Sequence, residues 1–238
     1  IAPDGSSRTL FEPDEGYIWA LTTNEMRDLI VGTGNPGRIY RIPPEGDPEL
    51  FYDTGTTHVR ALALDSRGNL IAGTSGPARV IRISQNADAF VVLDSGYDEI
   101  TAIRIGPDDE VFAVAANATE GNSNATSVSS ATDSPSAGMT GTKGAIYRIA
   151  SDGIWDLLWD SVSDTPFDAE LLPNGDVVIA TGPQGKIYRV DATDNSVLLL
   201  NQTQAKQVTR LAIREDGQLY FATSNPGTLQ QLTSTIAN

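Results

Sequence analysis

Four charged side chains stand where the corresponding residues in the other repeats of this chain are mostly small or apolar. They are Arg104, Asp168, Glu170 and Arg210. A carboxylate can serve as a general base, and an arginine can stabilise negative charge that develops during a reaction. A carboxylate paired with arginine has a lowered pKa, however, and is then a poor base near neutral pH. The set therefore predicts either two compensating buried ion pairs, Asp168 with Arg210 and Glu170 with Arg104, or a polar patch that binds a ligand or water.

A second set of candidate residues lies in the loops that lead into predicted inner strands. These loops would share one rim of the fold, and they carry aromatic and acidic side chains suited to ligand binding. The candidate ligand-binding residues on this rim are Tyr17, His58, Tyr97, Asp98 and Glu99.

Residues 117–143 interrupt the repeat on the same rim. They are rich in Ser, Thr, Asn, Ala and Gly and hold almost no large apolar residues. Such a stretch cannot bury enough surface to order itself, which predicts a mobile loop. It could be a lid, a partner-binding arm or a tolerated surface insertion.

The elements that must position these residues come from an internal repeat. A strand-like phrase recurs five times, at residues 37–42, 78–83, 144–149, 185–190 and 227–232. The starts are 41, 66, 41 and 42 residues apart, so one interval is the 41-residue unit plus a 25-residue insertion. A period near forty with short strand-like runs is the signature of a β-propeller.

Each repeat predicts four short strands. In the second repeat these are residues 59–64, 69–74, 79–83 and 89–94, and the turn at residues 65–68 ends in glycine. The runs are apolar and rich in β-branched residues on both faces, as expected where neighbouring blades pack face to face.

The sequence therefore predicts an all-β fold, a five-bladed β-propeller of four-stranded antiparallel blades in one domain spanning residues 1–238. An N-terminal outer strand at residues 7–12 would complete the last blade and close the ring, in a one-plus-three arrangement. The alternative is that the five blades form part of a larger ring. The repeats are residues 1–41, 42–82, 83–148 (with the insertion 117–143), 149–189 and 190–232.

Charged residues twelve apart suggest a pair that repeats between the third and fourth strands. The spacing would set each arginine across from an acid or amide, as a structural pair that repeats around the ring. The predicted pairs are Arg41 with Asp53, Arg82 with Asp94, Arg148 with Asp160, and Arg189 with Asn201.

The phrase at residues 59–70, Val-Arg-Ala-Leu-Ala-Leu-Asp-Ser-Arg-Gly-Asn-Leu, resembles the inner-strand, turn and second-strand unit of NHL-repeat and related bacterial propellers. The resemblance covers nearly the whole chain and implies the propeller fold. It implies binding of proteins, glycans or small molecules as a common role, with lyases and hydrolases also among the relatives. The chain lacks the histidine cluster of the enzymatic members and the signatures of WD repeats.

Composition excludes several kinds of partner and site. The net charge of −15 argues against nucleic acid and anionic membranes. The absence of cysteine removes disulfides and thiolate chemistry, and a single histidine excludes multi-histidine metal sites. No apolar run is long enough to insert in a membrane. We expect no metal and no cofactor, and an extracellular, periplasmic or cell-surface location.

The leading functional hypothesis is a non-catalytic binding scaffold that recognises a protein, peptide or glycan on one face. The alternatives are a hydrolase or lyase that uses channel carboxylates, and a structural domain of a larger surface or filament protein. Other domains of a longer chain or an oligomer could then be partners.

Overall fold

The strands follow the predicted repeat closely. The computed structural model describes residue 5 and residues 7–117, 141–214 and 216–232, and all regular secondary structure in those ranges is β-strand. The strands are β1 (Tyr17–Thr23), β2 (Leu29–Ile42), β3 (Glu49–Leu64), β4 (Leu70–Ser75), β5 (Arg79–Ile83), β6 (Ala89–Asp94), β7 (Glu99–Ile105), β8 (Val111–Ala116), β9 (Gly144–Ile149), β10 (Trp155–Ser161), β11 (Thr165–Leu171), β12 (Val177–Gly182), β13 (Lys186–Val190), β14 (Val197–Gln202), β15 (Gln207–Ile213), β16 (Leu219–Ser224) and β17 (Leu229–Gln231).

Antiparallel pairing joins β1–β10 into one ten-stranded sheet, β11–β14 into a second sheet and β15–β17 into a third. Following the sequence repeat, we divide these strands into five successive units, a term we keep below. Unit 1 contains β1, β2 and the start of β3, and unit 2 contains the rest of β3 with β4, β5 and β6. Units 3 and 4 are β7–β10 and β11–β14, and unit 5 contains β15, β16 and β17. β2 and β3 are long because each runs through two of the predicted strands.

The core lies between the units. Every residue of β4, β8 and β12, the second strands of units 2, 3 and 4, is buried, which explains their continuous apolar runs. Small residues allow the close approach. A side chain at Gly73 in unit 2 would meet Ile100 of unit 3, since an added Cβ would lie 2.6 Å from its Cγ2 atom.

A β-bulge recurs at the same place in every inner strand. The pairing register shifts after the second residue of β1, β7, β11 and β15 and at the matching point of β3. A bulge re-aims side chains next to it. The shared register also places Asp168 in the same column as Ala20, Ala61, Ala102 and Arg210, as the sequence alignment predicts.

The predicted closing strand is not observed. Residues 7–12 have no strand structure, and β17 pairs with β16 and with no other described strand. Phe11 instead lies against Tyr40 of unit 1, with ring centroids 4.8 Å apart. The one-plus-three closure is therefore not confirmed, because the N-terminal segment follows unit 1 and does not extend unit 5.

The predicted twelve-residue ion pairs are wrong. Arg41 pairs with Glu49, Arg148 pairs with Asp156, and Arg189 pairs with Asp176. In units 1 to 3 the residue directly across from each arginine lies eight positions later in the chain, as in the pairs Arg41–Glu49 and Arg148–Asp156. The residue twelve positions later is therefore paired further along the third strand. Asp53 and Asp94 are instead bound by Arg38 and Arg79, at 3.1 and 2.9 Å. Each of these arginines precedes the predicted partner, Arg41 or Arg82, by three residues.

Candidate functional site

The four charged residues singled out from the sequence meet near the inner strands of units 3, 4 and 5. We call Arg104, Asp168, Glu170 and Arg210 the axial cluster. Arg104 Nη2 donates hydrogen bonds to Asp168 Oδ1 and Glu170 Oε1, both at 2.8 Å, and its Nε donates to Glu170 Oε1 at 3.1 Å. The prediction that these residues lie together is therefore matched by the geometry, but one arginine serves both carboxylates.

Asp168 joins three units. Its side chain is fully buried, and its second oxygen accepts a hydrogen bond from the backbone N–H of Leu211 in unit 5 at 3.0 Å. Arg210, its predicted partner, lies 3.8 Å away with 67% of its side chain exposed. The Asp168 carboxylate is thus occupied on both oxygens, and Arg210 contributes little to holding it.

The charge state of Arg104 supports a structural role. Burial lowers the pKa of Arg104, but its hydrogen bond to Glu170 and the charges of Asp168 and Glu170 outweigh that effect and raise the pKa overall. The guanidinium therefore stays charged at all physiological pH values. A carboxylate held by a permanent cation is a poor proton acceptor, so the axial cluster is ill suited to base catalysis.

A second cluster lies where the inner strands of units 1, 2 and 3 begin. We call Tyr17, Trp19, His58, Arg60 and Glu99 the rim cluster. The rings of Tyr17 and Trp19 stack with centroids 5.2 Å apart and an angle of 21° between their planes. The inner-strand bulge lies between the partners of Ile18 and Ala20, so it re-aims the intervening Trp19 beside Tyr17.

Polar groups border this aromatic pair. Trp19 Nε1 donates a hydrogen bond to His58 Nδ1 at 3.2 Å. The Arg60 guanidinium lies 4.1 Å from the centre of the Trp19 ring, a cation–π distance, and its Nε lies 3.2 Å from a Glu99 oxygen. Tyr17 and Trp19 remain about half exposed. The rim cluster therefore offers a flat aromatic face with hydrogen-bonding groups at its edge.

Gly34 lies beneath the contact between Trp19 and His58. A Cβ atom there would come within 2.3 Å of both Trp19 Nε1 and His58 Nδ1. The position is paired with His58 across the sheet, so the glycine lets the two rings meet over the backbone. Nothing in the sequence pattern marks this glycine as part of a site.

His58 is held in its neutral form. Burial and the neighbouring charge of Arg60 lower its pKa, and Glu99 opposes them only in part. Because Nδ1 accepts the Trp19 hydrogen bond, the ring proton of neutral His58 resides on Nε2. His58 is therefore a hydrogen-bond donor toward a ligand, and its basic nitrogen is already occupied.

The remaining rim predictions fall outside the cluster. Tyr97 is buried, and its hydroxyl lies 2.8 Å from the Thr142 hydroxyl. Asp98 is exposed. Burial of Tyr97 raises the pKa of its hydroxyl. Tyr97 thus supports the fold of unit 3, and Tyr17, His58 and Glu99 are the rim residues that the structure brings together.

Trp19 and Arg60 were missing from the sequence-based site. The available signal was their shared column in adjacent repeats, since both occupy the bulged position of an inner strand. The insertion predicted as a lid or arm lies, except for residues 117 and 141–143, outside the described residues.

The described residues hold neither a candidate metal site nor a candidate membrane span. No group of three or more His, Asp or Glu side chains there could hold a metal ion. No helix suited to crossing a membrane occurs in those parts of the chain.

Comparison with known proteins shows the fold. No protein-family model matches the chain, and no curated protein matches it significantly. Solved structures do match. An inactive histidine-to-alanine variant of virginiamycin B lyase from Staphylococcus aureus, bound to quinupristin, is 14% identical with a TM-score of 0.68. It covers 94% of this chain and 69% of its own.

Two further structures illustrate the range of relatives. A gluconolactonase from Xanthomonas campestris is 12% identical with a TM-score of 0.64, covering 94% of this chain and 78% of its own. A structure of the nidogen/laminin complex is 13% identical with a TM-score of 0.65, covering 93% and 80%. These neighbours are β-propeller proteins, so the chain has a propeller-type repeat fold, as the resemblance to NHL-like propellers implies. They include both enzymes and binding propellers.

Proposed function

We propose that the chain is a binding module and that its ligand occupies the rim cluster. The observation that carries this proposal is the half-exposed stack of Tyr17 on Trp19, bordered by His58, Arg60 and Glu99. Exposed aromatic faces next to convergent polar groups are typical of ligand sites. The equivalent positions in units 4 and 5 are Thr165 with Phe167 and Gln207 with Thr209, which offer no comparable pair.

The chemistry of the cluster favours a neutral ligand with one flat apolar face. Arg60 and Glu99 neutralise each other, and His58 is uncharged, so no net charge is offered. A sugar ring of a glycan fits this description best, since its C–H face can stack on Trp19 and its hydroxyls can bond His58 Nε2 and Glu99. An aromatic side chain of a protein or peptide is the second choice within the same proposal.

Binding to a panel of immobilised neutral oligosaccharides tests this proposal. The chain should bind at least one class of glycan, and Trp19→Ala should lower that affinity by about tenfold or more. The variant loses the indole on which the sugar ring stacks, and with it the alignment of the hydrogen bonds at the edge of the ring. Trp155→Ala is the matched control, since Trp155 is exposed to a similar degree on the outer strand of unit 3. Equal binding by both variants would place the site elsewhere.

The second candidate function is a hydrolase or lyase. It is favoured by one observation, the position of the chain's single histidine in the rim cluster, where the charge of Glu99 acts on it. The hydrogen bond from Trp19 to Nδ1 opposes a role for His58 as base, so it would act as a proton donor through Nε2. Turnover of lactone or cyclic peptide substrates by the chain, lost in His58→Asn, would favour this candidate over binding alone.

The number of blades and the cellular location of the protein are also part of what we propose. We propose five blades, of which unit 5 holds three strands among the described residues, in one domain. A binding module with a net charge of −15 suits the extracellular, periplasmic or cell-surface location expected from the sequence. Fractionation of the source cells with an antibody against the chain would test that location.

A further inference from the structure

We infer that the five units form an open arc whose two end faces are covered by further four-stranded units of the same kind. This inference concerns the two ends of the arc, so it stands apart from the proposed function of the rim cluster. It predicts a partner surface with the chemistry of the chain's own unit junctions.

The first end face lies on β1 of unit 1. Ile18 is 52% exposed and Leu21 is 63% exposed. The same columns in other units are more buried: Val59, Ile100 and Val208 match Ile18 with 0% exposure, and Ile103 and Leu211 match Leu21 with 4% and 6%, while Leu62 in that second column is partly buried. Each buried equivalent packs toward the preceding unit, as Val59 does at Gly32 and Ile100 at Gly73. Unit 1 therefore presents a junction face that nothing covers among the described residues.

The second end face lies on β16 of unit 5. Tyr220, Ala222 and Ser224 alternate with buried residues and are partly exposed. Their equivalents in unit 4 include Val178 and Ala180, which are fully buried against β15 of the next unit. The exposed side of unit 5 is thus the kind of surface that receives an inner strand at the junctions within the arc.

In unit 5, β17 has no described strand on its outer edge. Leu229 of β17 is 78% exposed, whereas Ile187 and Val80 in the same column of units 4 and 2 are fully buried beneath a fourth strand. Apolar residues at an unpaired strand edge favour the addition of another strand.

The occupant is identified by what covers the equivalent residues elsewhere. Three of the four interior junctions set an inner strand with branched apolar residues on a second strand rich in Gly, Ala and Val, and the junction of units 3 and 4 uses Pro166 and Ala169 instead. A unit of this kind therefore fits both end faces and would give unit 5 the fourth strand that the described part of the chain lacks. The structural neighbours agree, because the match leaves 20% and 31% of those propeller chains uncovered.

A second copy of the chain is the less suitable occupant. Each copy carries a net charge of −15, so two copies repel each other at low ionic strength. A head-to-tail contact between copies would also be heterologous and would not close a ring unless the rotation allowed it.

Single cysteines test the inference cleanly, since the chain has none of its own. Ile18→Cys and Ile100→Cys place the same probe in the same column of units 1 and 3. We expect Ile18→Cys to react with a maleimide nearly as fast as the same variant unfolded in urea. Ile100→Cys should react at least about 100-fold more slowly than its own unfolded form. Protection of both in a monomer would mean that the ring closes on itself, and would overturn the inference.

The second arm extends the full chain with a tandem copy of residues 191–232, once or twice. One copy continues the repeat in register, so it supplies a fourth strand for unit 5 and the first strands of another unit. We expect Leu229→Cys to become protected with one copy, and Ile18→Cys with two. If both probes stay reactive in extended chains that have the circular dichroism of folded β-sheet, the inference is wrong.

Light scattering separates the remaining outcomes. We expect the unextended chain to be monomeric at the concentration used for labelling. A dimer that dissociates on Ile18→Ser would identify a second copy as the occupant and overturn the inference. If neither extended chain folds, protection of Ile18→Cys in the unextended monomer still decides, because an open arc requires that probe to react.

Discussion

The axial cluster and the rim cluster are built on the same inner strands, yet they handle charge in opposite ways. In the axial cluster Asp168 is fully buried and both of its oxygens are bound, by Arg104 and by the Leu211 N–H. In the rim cluster Arg60 and Glu99 are partly exposed beside the open face of Trp19. The residues that break the repeat most conspicuously therefore hold units together, and the less conspicuous aromatic pair is the surface fit for a ligand.

The largest expected effect separates the clusters by stability. Arg104→Leu should lower the free energy of unfolding by about 3–5 kcal/mol, because Asp168 stays buried and loses its charged partner. Urea denaturation followed by circular dichroism measures the loss. Arg210→Ala is the control and should cost at most about 1 kcal/mol, since that side chain is mostly exposed. Equal losses would mean that Arg210 holds the Asp168 charge as firmly as Arg104 does, and would contradict this account.

A smaller effect should follow from crowding the rim cluster. Gly34→Ala should cost about 1–3 kcal/mol, because its Cβ overlaps both Trp19 and His58. The displaced Trp19 ring should shift the tryptophan fluorescence maximum, and the lost stability should lower the midpoint of unfolding. Gly16→Ala is the matched control, as no atom lies within 4 Å of its added Cβ. An unchanged fluorescence maximum in Gly34→Ala would show that the Trp19–His58 contact is not formed.

The pH response should distinguish the clusters further. The pKa of His58 is lowered in the folded chain, so the unfolded chain binds more protons as pH falls through the ordinary histidine value near 6.5. The contribution of neutral His58 to stability is present above that pH and lost as pH falls toward the folded pKa. Stability measured from pH 7.5 to 5 should drop more in the native chain than in His58→Asn. A drop of equal size in both would assign the effect to other groups.

The smallest stability effect should come from the polar edge of the rim cluster. Glu99→Gln removes a partly exposed ion pair with Arg60, so it should change the free energy of unfolding by about 0–1 kcal/mol. The same change should weaken oligosaccharide binding, because the pairing that neutralises Arg60 is lost. Asp94→Asn, which removes the partly exposed pair with Arg79, is the control and should leave binding unchanged.

The repeat period made much of this molecule predictable. The glycine turn aligned the units well enough to set Asp168 and Arg210 in one column and Glu170 and Arg104 in another, and the backbone pairing has the same register. Local hydrophobic pattern also predicted the strands, since both of their faces are buried between units.

What the sequence did not reveal depends on register and on long-range contact. The bulge that brings Trp19 beside Tyr17 leaves no mark in composition, and the hairpin register that sets Arg41 against Glu49 cannot be read from spacing alone. The predicted ring closure is not confirmed among the described residues. Ile18 is as apolar as its buried equivalents, so the sequence of unit 1 does not show that its face is uncovered.

The most direct test of the central claim is oligosaccharide binding by two variants that remove one exposed side chain from each cluster. Trp19→Ala and Arg210→Ala should both fold, because neither residue is buried. We predict that Arg210→Ala binds as the native chain does and that Trp19→Ala loses binding. Loss of binding in Arg210→Ala, with Trp19→Ala unaffected, would contradict the account and move the ligand site to the axial cluster.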